Sequence, residues 1–235
     1  QYLSDAAPPG NLMNLLKEGL RHSATGREPS APLRLDDLLA ALASSTGLPV
    51  EILDDRASLD LVALQRNFES RVMGQPEAVR CLVERVAMIK AGVTDPSRPA
   101  GVFLFVGPTG TGKTELAKSL ATFLFGGENR MIRLDMSELQ SPDAIGRIVG
   151  ELGDQGQDAL VDQIRKQPFS VVLLDEFEKS HPNVWDLFLQ VFDDGRLTDR
   201  RGRTADFRHA IVIMTSNLGS TVTSGLGVGF SDDYG

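Results

Sequence analysis

Apolar positions along the chain change their spacing near residue 74. Before Arg71, leucines recur at helical spacing in two stripes, one of Leu12, Leu15, Leu16 and Leu20 and one of Leu35, Leu38, Leu39 and Leu42. Each stripe predicts a short helix with a buried face. The polar stretch 23–32 predicts a loop between them, and Gly47 with Pro49 predicts the end of the second helix.

From residue 74 onward, helical segments alternate with apolar runs of strand length. A helix is predicted over 77–91, and the apolar runs cover 102–106, 131–134, 171–174 and 211–214. Strands that are apolar on both faces and alternate with helices are typical of a parallel sheet covered on both sides. The pattern therefore predicts a three-layer α/β domain preceded by a short helical segment.

The composition is that of an ordinary globular chain. Of its 235 residues, 41% are hydrophobic and 24% are charged, which excludes collagen-like and disordered classes. The one cysteine, Cys81, cannot close an intramolecular disulfide, so a reducing, cytoplasmic location is expected. We expect Cys81 to be a small buried residue. A net charge of -8 disfavours a general nucleic-acid binder.

Two features of the sequence concern membrane insertion and the larger polypeptide to which the chain belongs. No run reaches the roughly 20 apolar residues that a membrane-spanning helix needs. The chain begins at Gln1 without a secretory leader, so we expect it to be a piece of a longer polypeptide.

A phosphate-binding loop follows the first predicted strand. Its residues are Gly107, Pro108, Thr109, Gly110, Thr111, Gly112, Lys113 and Thr114, which match G-x-x-x-x-G-K-[ST] and lead through Glu115 into a predicted helix. The glycines let backbone N–H groups turn toward phosphate oxygens. Lys113 is expected to reach the β and γ phosphates, and the Thr114 hydroxyl to bind Mg²⁺. The motif predicts ATP binding with Mg²⁺.

Polar side chains also end two later strands. Asp175 and Glu176 follow the third apolar run, and Asn217 follows the fourth. In a parallel sheet these positions share the ligand-binding edge, so Asp175 is expected to hold Mg²⁺, Glu176 to polarise the attacking water and Asn217 to orient it. The alternatives are a solvated turn for the two acids and a helix cap for Asn217.

With these motifs in place, the chain resembles the second ATPase module of the Clp family of double-ring AAA+ unfoldases and disaggregases. The likeness runs from about Leu64 to Asn217. It rests on five motifs: RVMGQ at 71–75, RLDMSE at 133–138, DEFEKSHP at 175–182, DDGRLTD at 193–199 and MTSN at 214–217. The segment TGLPV at 46–50 resembles the connector between the two modules of the family.

The resemblance implies a specific architecture and site. It implies an AAA+ domain with a five-stranded parallel sheet, four strands of which fall in this sequence. The implied divisions are a helical connector over 1–65, the large ATPase domain over 66–220 and a flexible loop over 221–235. It also implies a hexameric ring that hydrolyses ATP and remodels proteins, with Lys113, Glu176 and Asn217 catalytic and with Val72 and Met73 beside the adenine.

Some segments depart from the family pattern. Residues 150–157 contain no aromatic where threading members carry one, which keeps open a non-threading ring that acts as a nucleotide-dependent scaffold or switch. The sequence stops before the family's arginine finger and lid, so slow hydrolysis by this chain alone is expected. Val228–Phe230 falls where peptidase-partnered members carry a docking tripeptide, or it is simply part of a Gly-rich loop.

Several smaller patterns have a plainer and a sharper interpretation. The five arginines over 196–208 indicate an ion-paired loop, or a patch for nucleic acid. Asp135 and Ser137 indicate a helix cap, or a reach toward the nucleotide. Trp185, Phe188 and Phe192 lie at helical spacing and are expected in the core.

Overall fold

The computed structural model describes residues 10–24, 32–71, 76–108, 110–150 and 159–218. Within these ranges, five helices precede the first strand: α1 (Gly10–Ala24), α2 (Leu35–Thr46), α3 (Val50–Leu53), α4 (Leu61–Arg71) and α5 (Pro76–Lys90). Gly47 ends α2 in the left-handed conformation, with φ 71°, as the sequence predicts.

Four parallel strands form the central sheet. They are β1 (Gly101–Val106), β2 (Met131–Asp135), β3 (Val171–Asp175) and β6 (Ile211–Ser216), in the spatial order β1-β6-β3-β2. Between β3 and β6, the short strands β4 (Arg196–Thr198) and β5 (Thr204–Asp206) pair as an antiparallel hairpin. The prediction of an α/β domain with four parallel strands is confirmed, and each predicted strand is extended by one or two residues.

Helices cover the sheet on both faces. After β1 come α6 (Lys113–Phe125), α7 (Ala144–Val149), α8 (Leu160–Lys166) and α9 (Pro182–Asp194), with 3-10 turns at Glu128–Arg130, Met136–Glu138 and Phe177–Lys179. Because strand side chains alternate, Val171 and Leu173 pack toward α6, whereas Val172 and Leu174 pack toward α9. Two apolar clusters result, one on each face of the sheet.

The edge strand β1 is buried on one face only. Phe103 lies in the first cluster, whereas Val102, Leu104 and Val106 are exposed. The sequence predicts burial on both faces, and this is wrong for β1. In the described part of the chain, no further strand pairs with β1 beyond β6.

The first leucine stripe is not a buried face among the described residues. Leu12 and Leu20 are each 54% exposed, and Leu35 in the second stripe is exposed as well. Leu39, by contrast, is buried in the same cluster as Leu116 of α6. The expected core is therefore confirmed for Leu39 and wrong for Leu12, Leu20 and Leu35. Leu12 and Leu20 belong to α1, which packs principally on α2.

The connector packs into the ATPase core. Leu48, Leu53 and Leu64 are buried in the cluster that contains the inner residues of α5 and α6. Arg130 donates from Nη2 to the Thr46 carbonyl at 2.8 Å. The domain divisions at 65/66 and 220/221 stay predictions.

Two further burial predictions are wrong. Cys81 is exposed, because the buried face of α5 is made of Val79, Leu82, Val83 and Val86. Trp185 is 40% exposed; its ring stacks on Phe177 at 5.8 Å and Nε1 donates to Ser180 Oγ at 2.8 Å. Phe188, three residues on, is fully buried as expected.

The arginine-rich stretch is an ion-paired hairpin. Arg203 contacts Asp199 at 2.6 Å and Asp162 of α8 at 2.9 Å. Burial of Asp199 opposes its charge, but hydrogen bonds from Arg203 and Arg201 outweigh it and lower the pKa of that carboxyl. Arg208 pairs with Asp206. The plainer interpretation of this stretch is the one that the contacts support.

Candidate active site

The phosphate-loop sequence lies between β1 and α6, in the order that the motif requires. Gly110 has φ 85° and Gly112 has φ 87°, a left-handed backbone conformation that residues other than glycine rarely adopt. A Cβ on Gly110 would meet no atom within 4 Å, so space is open beside the loop at this position. Helix α6 begins at Lys113, which places Thr114 and Glu115 in its first turn. The unpaired N–H groups of a first helical turn bind anions.

Lys113 connects this loop to the end of β6. Its Nζ donates to the carbonyls of Gly107 at 2.5 Å and Pro108 at 3.1 Å, and to Asn217 Oδ1 at 2.9 Å. The ammonium is thus held beside the loop by acceptors that phosphate oxygens could replace. Thr111 Oγ1 donates to the Pro108 carbonyl and closes the same turn.

Asp175 ends β3 with both carboxylate oxygens engaged. Oδ1 accepts from Thr215 Oγ1 at 2.5 Å, and Oδ2 accepts from Arg133 Nη2 at 2.6 Å. The Asp175 side chain is 16% exposed, whereas Arg133 is 53% exposed. One oxygen therefore faces the protein interior and the other faces a cation on the solvent side.

Glu176 has an unusual backbone and two side-chain partners. Its φ of 57° and ψ of 49° make it the one non-glycine residue with positive φ in the described part of the chain. Asn217 Nδ2 donates to its Oε1 at 3.1 Å, and Lys179 Nζ donates to its Oε2 at 2.6 Å. The hydrogen bond to Glu176 raises the pKa of Lys179. Left-handed non-glycine residues cost free energy and concentrate at functional sites.

Asn217 bridges the two halves of the site. Its amide oxygen accepts from Lys113 while its amide nitrogen donates to Glu176, and its backbone N–H donates to Glu178 Oε1 at 3.0 Å. The sequence predicts Lys113, Asp175, Glu176 and Asn217 at one edge of the sheet, and the fold brings them together there.

Two residues at this edge were not assigned a role from the sequence: Thr215 and Arg133. Thr215 lies two positions before Asn217 and is a polar residue at the end of an apolar strand, which is a detectable signal. Arg133 interrupts the apolar run of β2 with a charge. The residues to which Thr215 and Arg133 form hydrogen bonds could not be predicted from the sequence, because they depend on which strands are neighbours in the sheet.

Other predicted residues lie at the margin of the site or beyond the described ranges. Asp135 accepts from the Ser137 N–H at 3.0 Å, which confirms the cap. A hydrogen bond from the Ser137 hydroxyl is the main cause that lowers the pKa of Asp135, and the N–H bond adds to it. Glu115 pairs with Lys118 at 2.7 Å. Val72, Met73, Thr109, residues 151–157 and Val228–Phe230 fall outside the described residues.

A separate cavity of about 620 Å³ lies at the opposite edge of the sheet. It is lined by residues that include Leu48, Phe169, Asp206, His209 and Ile211, and by none of the predicted site residues. His209 packs on Phe169 with ring centroids 4.9 Å apart, and burial lowers the pKa of His209. The polar cluster at the carboxyl edge is therefore distinct from this cavity.

The described ranges contain neither a membrane-spanning helix nor a cluster of metal-binding side chains. No helix within them is long and apolar enough to cross a membrane. They also hold no group of three or more His, Cys, Asp or Glu side chains arranged around a metal position. Mg²⁺ does not require such a group, because it keeps several waters and binds through one or two carboxylates and substrate phosphates.

Comparison with known proteins places the chain in a family. The family described as "AAA domain (Cdc48 subfamily)" matches residues 98–228, more than half of the chain. Chaperone protein ClpB of Aquifex aeolicus (strain VF5) is 47% identical over 189 residues, covering 79% of this chain and 19% of that protein. The ATP-dependent Clp protease ATP-binding subunit ClpC of Staphylococcus aureus (strain USA300) is 45% identical over 195 residues, covering 81% and 24%.

A solved structure gives the same assignment. A cryo-electron microscopy reconstruction of Hsp104 in its closed state, with ATPγS and labelled casein, superposes with a TM-score of 0.78 at 38% identity. That match covers 93% of this chain and 38% of the Hsp104 chain. The chain spans about a fifth to a quarter of the length of the two Clp relatives. It belongs to the AAA domain family (Cdc48 subfamily), as a Clp-type AAA+ module.

Proposed function

We propose that this chain is the ATP-binding and ATP-hydrolysing module of a Clp-type ring that remodels proteins. The observation that carries the proposal is the bridge from Lys113 through Asn217 to Glu176, which joins the phosphate loop to the acidic end of β3. The relatives support it, since ClpC is named as an ATP-binding subunit and the Hsp104 structure holds ATPγS and casein.

In this proposal, some residues of the site bind the nucleotide and its metal, and others transfer the proton of the attacking water. Lys113 and the first-turn N–H groups of α6 bind the β and γ phosphates. Thr114 and Asp175 would hold Mg²⁺, which when bound would neutralise charge on the phosphate oxygens. Glu176 accepts the proton of the attacking water, and Asn217 orients that water.

The chain's own features fit these groups. A Cβ at Gly110 would meet no atom within 4 Å, which leaves room for a phosphate beside the loop. Asp175 supplies a carboxylate and Thr114 a hydroxyl, and both are oxygen donors of the kind that Mg²⁺ prefers. Glu176 already accepts a hydrogen bond from Asn217, so both side chains are oriented before substrate binds. Such preorganisation lowers the reorganisation needed during the reaction.

The assembly and its clients belong to the same proposal. Hexamer formation, protein substrates and docking of a peptidase barrel at Val228–Phe230 are proposed by analogy with the Clp relatives. The second candidate is a ring that does not thread its client and acts as a nucleotide-dependent scaffold. The absence of aromatic residues from 150–157 favours it.

The test uses the full-length protein with an unfolded, labelled client. Glu176→Gln is expected to keep ATP binding and to lower turnover by about 10²- to 10⁴-fold, the usual contribution of a general base. Lys113→Ala is expected to lose ATP binding itself. Glu128→Gln, at an exposed glutamate of the turn before β2, is the matched control.

The outcomes separate the candidates. Unchanged turnover in Glu176→Gln would refute the assignment of the base, and unchanged ATP affinity in Lys113→Ala would refute the phosphate site. Client-stimulated hydrolysis with unfolding of the client supports remodelling by threading. Hydrolysis without either supports the scaffold.

A further inference from the structure

The hydroxyl of Thr215 contacts both functional acids at once. Thr215 lies near the end of β6 and is 1% exposed. Its Oγ1 donates to Asp175 Oδ1 at 2.5 Å and accepts from the Glu176 N–H at 3.0 Å. A hydroxyl has a single proton, so the one hydrogen bond that Thr215 can donate goes to Asp175.

The position of Thr215 explains why a side chain is needed at this point. The ladder between β3 and β6 runs from Val171↔Ile211 to Leu174↔Met214 and then stops. Asp175 and Thr215 are the next residues on the two strands. Beyond the last ladder pair, the hydroxyl supplies the link that a backbone hydrogen bond supplies within the sheet.

The link also bears on the backbone of Glu176. A left-handed glutamate is disfavoured by about 1–2 kcal/mol per residue, so it persists only where the surroundings hold it. The N–H of Glu176 is held by Thr215, and its side chain is held by Asn217 and Lys179. Burial of Thr215 means that water cannot readily replace the hydroxyl.

The second oxygen of Asp175 is held differently. Oδ2 accepts from Arg133, whose side chain is 53% exposed and can turn into solvent. Oδ1 is held by a hydroxyl within the sheet. The two contacts therefore define an inner oxygen that stays in place and an outer oxygen that can change partner.

We propose that Thr215 is a positioning residue that aligns Asp175 for Mg²⁺ and fixes the peptide from which Glu176 projects. This inference rests on the proposed function and deepens it. Thr215 acts through these two acids and does not itself contact the nucleotide. Loss of a hydrogen-bond partner behind a metal ligand typically weakens metal binding by about 10- to 100-fold.

The experiment measures Mg²⁺ dependence in the full-length protein. The probe is a fluorescent ADP analogue, titrated at increasing Mg²⁺, for wild type, Thr215→Val and Thr215→Ser. Valine keeps the shape of the side chain and removes the hydroxyl, so we expect about 10- to 100-fold more Mg²⁺ for half-maximal tightening of nucleotide binding. Serine keeps the hydroxyl and should stay within about threefold of wild type.

A control and a second readout separate positioning from general damage. Ile213→Val removes one methyl group from the same strand at a fully buried site and should leave the Mg²⁺ dependence unchanged. Amide hydrogen exchange is measured without nucleotide or metal. The Glu176 amide should be protected in wild type and in Thr215→Ser, and should exchange faster in Thr215→Val, because its acceptor is gone.

Each result decides something. Wild-type Mg²⁺ dependence in Thr215→Val, or loss of it in Thr215→Ser, overturns the proposal. If Thr215→Val does not fold, hydrogen exchange in the wild-type protein still tests the hydrogen bond from the Glu176 N–H to Thr215. A Glu176 amide that exchanges as fast as the amides of an exposed loop contradicts the proposal. Wild type that binds no nucleotide at any Mg²⁺ concentration refutes the proposed function instead.

Discussion

Leu48→Ala tests whether the connector over 1–65 and the ATPase core unfold as one unit. Leu48 is 3% exposed and belongs to the apolar cluster that includes Leu116 and Leu120 of α6. The substitution removes three carbon atoms from this cluster and leaves the backbone unchanged. If the connector is part of the cooperative unit, the whole domain loses stability.

The expected magnitude follows from the surroundings of Leu48. Buried leucine to alanine substitutions cost about 2–5 kcal/mol, and the cost rises with the cavity left behind. Leu48 already borders the cavity of about 620 Å³, so its removal enlarges an open space and leaves no new sealed void. We therefore expect the lower part of the range, about 2–3 kcal/mol. For a domain of this size that corresponds to about 4–12 °C in Tm.

The single tryptophan makes the assay specific. Trp185 lies in α9 on the opposite face of the sheet, stacked on Phe177. Urea unfolding is followed by Trp185 fluorescence and by circular dichroism, with Val50→Ala as the control because Val50 is exposed on the same connector. Both signals should shift together in Leu48→Ala and stay within about 0.5 kcal/mol in Val50→Ala.

The refuting result is equally specific. If the Trp185 transition of Leu48→Ala coincides with that of wild type, while circular dichroism shows a separate early loss of helix, the connector is not part of the core's cooperative unit. That outcome would also support the predicted domain division at 65/66. A common shift of both signals would argue that folding joins the two segments.

Two further predictions concern the far edge of the sheet. Burial lowers the pKa of His209, with Asp206 opposing, so the folded chain binds a proton less readily than the unfolded chain. The stability that neutral His209 contributes to the folded chain is fully present above pH 6.5, the usual pKa of histidine. It is lost as the pH falls from 6.5 toward the pKa of His209 in the folded chain, which is lower. Urea titrations from pH 8 to 5 should show a shallower decline for His209→Gln, and an identical decline would contradict the assignment. Gly195→Ala should destabilise by more than about 2 kcal/mol, since φ is 60° and a Cβ would lie 2.6 Å from the Ser97 carbonyl oxygen. Thermal melts compare it with Gly92→Ala, which has open space at a similar φ and should lose about 1 kcal/mol.

The identity of each element could be predicted from the sequence because local spacing determines it. Val171 to Leu174 is predicted as a buried strand, because the run is too short for a typical helix, is rich in β-branched residues and lies between polar segments. The phosphate loop is local as well, because Gly110, Gly112 and Lys113 act within one turn of chain. These features need no knowledge of distant neighbours.

Burial at the surface of the domain was less predictable. A leucine stripe or an aromatic at helical spacing indicates which face of a helix is apolar, but not what covers that face. Leu12 and Trp185 are therefore exposed although their spacing predicts burial. Cys81 lies opposite the buried face of its own helix, and that face is decided by the packing of α5 into the first apolar cluster.

The site itself depends on strand order, which only the tertiary structure decided. The sequence alone determined the α/β class, the phosphate loop and the polar residues that end β3 and β6. Lys113 and Asn217 are 104 positions apart and meet because β6 lies between β1 and β3. The same neighbour relation places Thr215 between Asp175 and Glu176, and the pairing of β2 with β3 brings Arg133 to Asp175. Side-chain periodicity is a local property of the chain, whereas strand order and register arise from long-range packing. The sequence therefore predicted Lys113, Asp175, Glu176 and Asn217 at the site, but not the roles of Thr215 and Arg133 or the contacts among these residues.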